Sequence, residues 1–458
     1  MGKLFGTDGI RGIVNKELTC DLTFKVGIEA TRVLTCKNNK HPKILIAKDS
    51  RISSDMLESA LCAGICSIGG EAILLGVVPT PAVAFLVKKY NADAGIMISA
   101  SHNSFEFNGI KIFSKDGYKL SDELENLIES RILGNSLEME DLALGSEIGK
   151  VTKCNNASQD YINHLRDAVK IQKSKLKILI DCANGAASYT AKELFKNLNA
   201  DIIFNSPNGI NINKDCGSTS IEKLSSQVVE KGYDIGIAFD GDADRCQAVD
   251  ECGNIIDGDT ILGICALDMK SNESLSSSTL VGTIMSNMGL KKFCQENNIH
   301  FIETKVGDRY VLEEMVKGSY SLGGEQSGHI IFGNHSTTGD GQLTALNLLK
   351  ILINSGKKAS ELNNMIKKFP QKSENILINL NQKGMLKSNG YLLEYFDSLK
   401  ENIGDEGRIV VRESGTEPKI RIMVEHKDEK KLNEIINELS RVIRESFKKT
   451  IEKEIKVL

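Results

Sequence analysis

Ile235-Gly236-Ile237-Ala238-Phe239 is a short apolar run that stops abruptly at Asp240-Gly241-Asp242-Ala243-Asp244-Arg245. It has no alternation of apolar and polar residues, so it reads as a strand buried on both faces, of the kind found in helix-covered, mostly parallel sheets. The same grammar occurs twice more. Upstream, Ile44-Leu45-Ile46, a helical stretch over 55–68 and the strand Gly95-Ile96-Met97-Ile98 run into Ser99-Ala100-Ser101-His102-Asn103. The quoted run is itself preceded by Ile178-Leu179-Ile180 and by helical patterns near 189–198 and 221–231. Downstream, Leu280-Val281-Gly282, helices near 288–296 and 309–315, and Tyr320-Ser321-Leu322 lead to Gly324-Glu325-Gln326-Ser327-Gly328-His329. Three related α/β units with mixed, mostly parallel sheets are expected. In such sheets ligands bind beyond the carboxyl ends of the strands, where all three polar loops fall.

The last part changes character. Ile409-Val410-Val411 and 419–424 flank a Gly/Pro loop, and Leu432, Ile435, Ile436, Leu439, Val442, Ile443 and Phe447 share one helical face, which predicts a small α+β domain. The expected divisions are 1–152, 153–253, 254–369 and 370–458, with linkers near 150–158 and 369–373. A chain of 458 residues exceeds what one hydrophobic core supports, in keeping with several domains. Its net charge of −4 offers no field to draw it onto nucleic acid or anionic lipid. The longest near-apolar run, 72–87, is interrupted by Pro79, Thr80 and Pro81 and is short for a bilayer. Met1 to Phe5 contains no apolar signal core, so a cytoplasmic protein is expected. Eleven cysteines, an odd number scattered along the chain, read as reduced and mostly buried thiols.

Three loops invite chemistry. Asp240, Asp242 and Asp244 concentrate carboxylates directly after a buried strand, which suits a hard cation such as Mg²⁺. A calcium EF-hand is the sharpest rival because Glu251 stands twelfth from Asp240, but Arg245 occupies the position where the turn needs Gly. Ser101 and His102 lie just past a strand, and no G-x-S-x-G elbow surrounds the serine. An ordinary Ser/Asn loop is the bland alternative; beside an aspartate loop, a phosphorylated Ser101 facing Mg²⁺ becomes reasonable. Arg412, Ser414, Gly415, Thr416, Lys419 and Arg421 form an anion cradle, with Lys419 and Arg421 on one strand face. Glu325, Ser327 and His329 offer donors and acceptors suited to sugar hydroxyls. There is no G-K-[ST] and no complete dinucleotide fingerprint, so ATP- and NAD-driven chemistry lose support.

Taken together, 6–12 (Gly-Thr-Asp-Gly-Ile-Arg-Gly), the Ser101 loop with Asn108-Gly109-Ile110-Lys111, the aspartate loop 240–245, 324–329 and 412–418 resemble the α-D-phosphohexomutase family. The likeness is strongest to bacterial members acting on glucosamine phosphates. All five motifs stand in family order and span nearly the whole chain. The resemblance implies four domains around a central cleft and interconversion of glucosamine 6-phosphate and glucosamine 1-phosphate. It implies a phosphoserine at Ser101 and Mg²⁺ held by Ser101, Asp240, Asp242 and Asp244. A glucosamine 1,6-bisphosphate intermediate follows, with that or another hexose bisphosphate as primer. Lys111 and His329 become general acid/base candidates, with Arg11, His102 and Arg245 steadying the phosphoryl group. Glu325 and Ser327 would grip the sugar, and Arg412, Ser414, Gly415, Thr416 and Arg421 the phosphate that is not reacting. The implied partner is a small sugar phosphate; neither nucleic acid nor a membrane is expected, and a homodimer is left open. Gln326 favours the amino sugar over glucose or mannose phosphates, the main alternative substrates. A non-catalytic sugar-phosphate binder would be expected to have lost Ser101 or an aspartate, and a phosphatase would need a water-exposed phosphoserine. Three residues depart from the family pattern: Ser104 and Phe107, expected to alter loop stiffness, and Glu413, expected to dilute the positive charge of the phosphate cradle.

Overall fold

All but one of the aliphatic runs become strands where the pattern places them. The structure is a computed structural model that describes residues 4–6, 8–35, 41–134, 142–379, 382–414 and 418–457. The first sheet contains β1 (Phe5–Gly6), β2 (Gly9–Ile13), β3 (Lys43–Lys48), β4 (Glu71–Val77), β5 (Ala94–Ile98), β6 (Phe107–Ser114) and β7 (Val151–Lys153), in the order β1-β2-β6-β5-β3-β4-β7. The second contains β8 (Ile178–Asp181), β9 (Ala200–Ile203), β10 (Ile235–Phe239), β11 (Cys246–Asp250) and β12 (Ile255–Ile256), ordered β12-β11-β10-β8-β9. The third contains β13 (Thr279–Thr283), β14 (His300–Thr304), β15 (Leu322–Gly324) and β16 (Ile330–Phe332), ordered β14-β13-β15-β16.

The three sheets share one device. β5 is parallel to β3, β10 to β8 and β15 to β13, and each of these strands then turns back antiparallel onto its successor, β6, β11 or β16. Each polar loop is therefore the hairpin joining the last parallel strand to its antiparallel neighbour. Residues 1–286 and 294–366, which hold these sheets, form one compact unit. One of its cores packs Val26, Leu57, Leu61 and Ile65 of the covering helices onto Ile44, Ile46, Ile96, Ile98, Ile110 and Ile112. Side chains start the helices as the orphan N–H groups require: Thr19, Ser121, Asp257 and Asp340 cap Cys20–Leu34, Asp122–Leu133, Gly258–Ser271 and Gly341–Ser355.

The second unit, 287–293 with 367–458, carries an antiparallel sheet of β17 (Gln371–Leu377), β18 (Gly407–Glu413) and β19 (Lys419–His426) in the order β17-β19-β18. The helix Glu429–Val457 covers it, burying Leu432, Ile436, Leu439, Val442, Ile443 and Phe447, with Ile435 half-buried. Several expectations need correction. The stretches expected as linkers are ordered: β7 pairs with β4, the helix Ala157–Ala168 follows, and β17 pairs with β19. The pattern at 189–198 gives only Ala186–Tyr189 as a 3₁₀ turn and a short helix Ala191–Leu194, because the Thr190 hydroxyl bonds Ala187 O and Gln342 Oε1. Tyr320 and Ser321 lie outside β15. Ten described cysteines are free thiols, six of them buried. Among the described residues no helix is long and apolar enough to cross a membrane.

Candidate active site

The hairpins after β5, β10 and β15 bring their polar residues together. Ser101 and Ala243 both hold positive φ, 51° and 56°, a conformation uncommon outside glycine that marks backbone held in place by its surroundings. The Ser101 hydroxyl, 1% exposed as a residue, donates to Asp240 Oδ2 at 2.6 Å. Ligand oxygens of Asp240, Asp242 and Asp244 lie within 4.8 Å of one another, all three residues buried. Gly241 permits this approach: a Cβ there would stand 2.6 Å from Ser101 O and 2.8 Å from Asn213 Nδ2.

Electrostatics distinguish the three acids. Burial raises the Asp240 carboxyl well above its usual range, and the neighbouring Asp244 and Asp242 add to the shift. Asp244 goes the other way: burial opposes ionisation, but Lys111 and His329 hold it well below the usual range. Lys111 Nζ lies 2.8 Å from Asp242 Oδ2, 3.1 Å from Asp244 Oδ2 and 3.0 Å from Asp8 Oδ2. Burial works against its charge, yet these acids raise it well above an ordinary lysine. The other oxygens, Asp242 Oδ1 and Asp244 Oδ1, are buried with no donor within hydrogen-bond distance, His329 Nδ1 being 3.7 Å from the latter. Three close carboxylates with two such oxygens fit a hard divalent cation. The EF-hand alternative fails, because Glu251 lies past the far end of β11 and accepts from Ser360 N and Oγ.

The remaining site candidates distribute as follows. His102 Nδ1 lies 3.4 Å from Ser101 Oγ, and burial together with Arg245 and Arg11 lowers its imidazole to about 4. Arg11 pairs with Asp8. The Arg245 backbone N–H donates to Asp240 Oδ1 at 3.2 Å. His329 is buried, with Nδ1 3.7 Å from Asp244 Oδ1 and Nε2 3.4 Å from Asp308 Oδ2. Gly339 N–H donates to Nε2 at 3.0 Å, leaving Nδ1 as the protonated nitrogen of the neutral ring. Burial disfavours its charge, but Asp308 and Asp244 raise its pKa above the ordinary histidine value. Glu325 Oε1 accepts from Gly307 N at 3.0 Å and its carboxyl is raised, chiefly by burial; Ser327 Oγ is a buried hydroxyl with no hydrogen-bond partner. The Gln326 amide points to Asp257 at 3.4 Å.

In the second unit Arg412 and Arg421 are cross-strand partners, and burial followed by the neighbouring Arg421 charge lowers the Arg412 pKa. Ser414 is buried, its N–H bonded to Lys419 O at 2.8 Å; Gly415 and Thr416 lie outside the described residues. Glu413 behaves differently from expectation. Strand alternation turns it from Arg412, and its carboxylate accepts from Gly384 N at 2.8 Å and Leu386 N at 2.9 Å. Its charge is therefore spent on a loop and a helix start.

Sequence reading missed several contributors. Thr80 Oγ1 donates to Asp242 Oδ2 at 2.5 Å, and its backbone N–H to Asp242 O at 2.9 Å; the only signal was proline on either side. Lys119 bridges Asp8 and Asp308. Arg51 and Asn213 grip the Ser101 loop from beneath. None of the four stands in a motif with mechanistic spacing.

Comparison with known proteins now bears on this geometry. Family models described as phosphoglucomutase/phosphomannomutase α/β/α domains I, II and III match residues 2–139, 159–253 and 257–369, and that of the C-terminal domain matches 352–442. The chain belongs to the phosphoglucomutase/phosphomannomutase family. Within it, the chain is 49% identical over 447 residues to a phosphoglucosamine mutase of Acetivibrio thermocellus, covering 97% of this chain and 99% of that one. It is likewise 49% identical over 447 residues to a phosphoglucosamine mutase of Clostridium novyi, with the same coverage. Among solved members, a phosphoglucomutase/phosphomannomutase family protein of Burkholderia thailandensis superposes with TM-score 0.80 at 22% identity, covering 96% of this chain and 97% of that one. An Aspergillus fumigatus N-acetylphosphoglucosamine mutase in complex with GlcNAc-6P and magnesium gives 0.68 at 17% identity, covering 97% and 96%.

Proposed function

We infer that this chain is a phosphoglucosamine mutase that interconverts glucosamine 6-phosphate and glucosamine 1-phosphate through a phosphorylated Ser101 and a glucosamine 1,6-bisphosphate intermediate. Four domains divided near residues 152, 253 and 369 would carry it. The supporting observation is the Ser101 hydroxyl bonded to Asp240 within the three-aspartate cluster, opposite a buried Lys111. Relatives at 49% identity over nearly the full chain supply the sugar.

The chemistry balances over two transfers. First the P–Oγ bond of phospho-Ser101 breaks while a bond forms from phosphorus to O1 of glucosamine 6-phosphate, whose hydroxyl proton leaves to a base. The bisphosphate then turns round. In the second transfer the P–O6 bond breaks, Ser101 Oγ recovers the phosphoryl group, and O6 takes a proton. Such transfer depends on alignment and on neutralising charge. Mg²⁺ held by Asp240, Asp242, Asp244 and the Ser101 phosphate would neutralise charge on the transferring group. Lys111, a fixed cation amid three acids, would protonate Ser101 Oγ as it departs in the first transfer and take that proton back when Oγ recovers the phosphoryl group in the second. His329, whose pKa is raised from the ordinary histidine value, takes and returns the hydroxyl proton. Arg11, His102 and Arg245 steady the phosphoryl group. Glu325 and Ser327 hold the sugar, and Arg412, Ser414 and Arg421 hold the phosphate that is not reacting. The free thiols at the ten described cysteines, six of them buried, support a reducing, cytoplasmic setting.

The family models carry glucose and mannose phosphates in their description, which favours phosphoglucomutase/phosphomannomutase as the second reading. The test is isomerisation of glucosamine, glucose and mannose phosphates with Mg²⁺ and catalytic glucose 1,6-bisphosphate. Wild type is expected to prefer glucosamine phosphate and Ser101→Ala to lose at least a thousandfold in kcat, the order of loss when a covalent carrier is removed. Undiminished turnover in Ser101→Ala would refute the serine relay, and equal rates on all three sugars the choice of substrate.

A further inference from the structure

Beneath Ser101 lies a second charged assembly that touches this residue only through its backbone. Arg51 is 2% exposed, and its guanidinium spends all five N–H groups. Nε donates to Asp49 Oδ2 at 2.8 Å. Nη2 donates to Ser101 O at 2.9 Å and Asn103 O at 2.8 Å; Nη1 donates to Phe107 O at 3.1 Å and to Ser104 O. Asp49 is held in turn. Its Oδ1 accepts from Arg51 N at 3.0 Å and Ser54 Oγ at 3.2 Å, and its Oδ2 from Ser99 Oγ at 2.6 Å; Ser99 Oγ then accepts Ser101 N–H at 3.0 Å. From the loop after β9, Asn213 Nδ2 donates to Ser101 O at 2.8 Å and Asn103 O at 3.0 Å.

Stability does not explain this arrangement. A buried ion pair gives up so much hydration that apolar replacements of similar volume are often neutral or better. What it does is fix geometry. Four carbonyls of one short loop converge on a point, where their partial charges repel unless a cation with a planar fork of donors sits among them. With both its N–H and its C=O tied down, the Ser101 peptide stays at positive φ, and Oγ projects to the side of the loop occupied by Asp240.

We propose that Arg51, assisted by Asn213, is the positioning residue of the phosphoryl carrier: it locks the Ser101 loop so that one Oγ position serves both transfers. This rests on the reading of Ser101 as that carrier. The sequential transfers need the same oxygen returned to the same place, and a misplacement of about 1 Å costs on the order of a hundredfold in rate. It also accounts for the departures at Ser104 and Phe107, since stiffness there comes from carbonyls held by Arg51, whatever side chains they carry.

The test uses the full chain with Arg51→Lys, Asn213→Ala and Ser101→Ala, assayed on glucosamine phosphates with Mg²⁺ and glucose 1,6-bisphosphate, with intact mass for phosphate on Ser101 and thermal melting for fold. Arg51→Lys keeps the charge but has three donors instead of five, and should lose roughly a hundredfold in kcat; Asn213→Ala should lose about tenfold. KM should stay within about twofold in both, because neither residue is placed on substrate. Folded variants with kcat within twofold of wild type, or a lowered melting point with unchanged kcat, would overturn the proposal. If Arg51→Lys does not fold, Asn213→Ala decides alone. Turnover retained in Ser101→Ala would instead bring down the carrier reading, and this proposal with it; a dead Ser101→Ala beside an unaffected Asn213→Ala would defeat only the clamp.

Discussion

Asp181 shows what a single buried acid costs when no cation accompanies it. It closes β8, and its two oxygens accept Ala183 N–H and Gly217 N–H, each at 2.7 Å. Burial pushes its carboxyl up to about 6 despite these donors. An acid whose folded pKa lies above its unfolded value of 3.8 binds more protons when folded, so its contribution is most favourable below about pH 4. It declines as pH climbs from there to about 6, and the full penalty is present at neutrality. Asp181→Asn removes the titration but presents an amide N–H₂ to one of two backbone donors. The substitution should therefore cost more stability at pH 5 than at pH 7, with a difference of up to about 3 kcal/mol over the whole window. Denaturant unfolding of both proteins across pH 4–7.5 reads this directly; a pH-independent difference would mean that Asp181 is ionised throughout.

At the level of hairpins, the loop after β10 is decided by backbone proximity. Adding a methyl at Gly241 puts it 2.6 Å from Ser101 O, 2.8 Å from Asn213 Nδ2 and 2.8 Å from Ile212 Cδ1, so the Ser101 and aspartate loops must part. Gly241→Ala should lower kcat tenfold or more. Gly232, left-handed at φ 65° past the helix Glu222–Lys231 with nothing within 4 Å of a Cβ, makes the contrast: Gly232→Ala should cost about 1 kcal/mol in stability and leave kcat unchanged. Comparable activity in the two variants would contradict the crowding argument. The same hairpins mark what a sequence can disclose. Ser101, the three aspartates and His329 were legible because each follows an apolar strand that ends abruptly in polar residues, and strand ends in such sheets face ligands. Arg51, Asn213, Thr80 and Lys119 were not, because each is a lone polar residue whose partners come from distant segments. Asn213 stands 112 residues from Ser101 and reaches its carbonyl from the loop that follows β9. Glu413 was misjudged because charge was counted along the chain, while strand alternation sent its carboxylate away from Arg412. At 150–158 polar composition hid the edge strand β7, which pairs with β4 alone.

Over the whole first unit, opposite charges join loops that the chain supplies from three sheets. Asp8, Lys111 and Lys119 come from the first sheet and its loops, Asp242 and Asp244 from the second, and Asp308 and His329 from the third. Lys119 is the link between first and third, paired with Asp8 and Asp308. Around it, Thr337 Oγ1 bonds Gly117 O at 2.5 Å and Arg309 pairs with Asp122 and Glu125. Burial works against the Lys119 charge, yet Asp308 and Asp8 raise its pKa well above an ordinary lysine; against burial, the same ammonium holds Asp308 below its usual range and adds to Lys111 in lowering Asp8. Lys119→Met would leave two buried acids without their shared cation, a change that typically costs about 3–5 kcal/mol. Asp308→Asn in that background removes one stranded charge, so the double variant should recover part of the loss, and a double-mutant cycle should show coupling of at least about 1 kcal/mol. Additive losses would mean that Lys119 and Asp308 contribute independently, and that the first and third sheets are held together by Thr337, Arg309 and apolar packing alone.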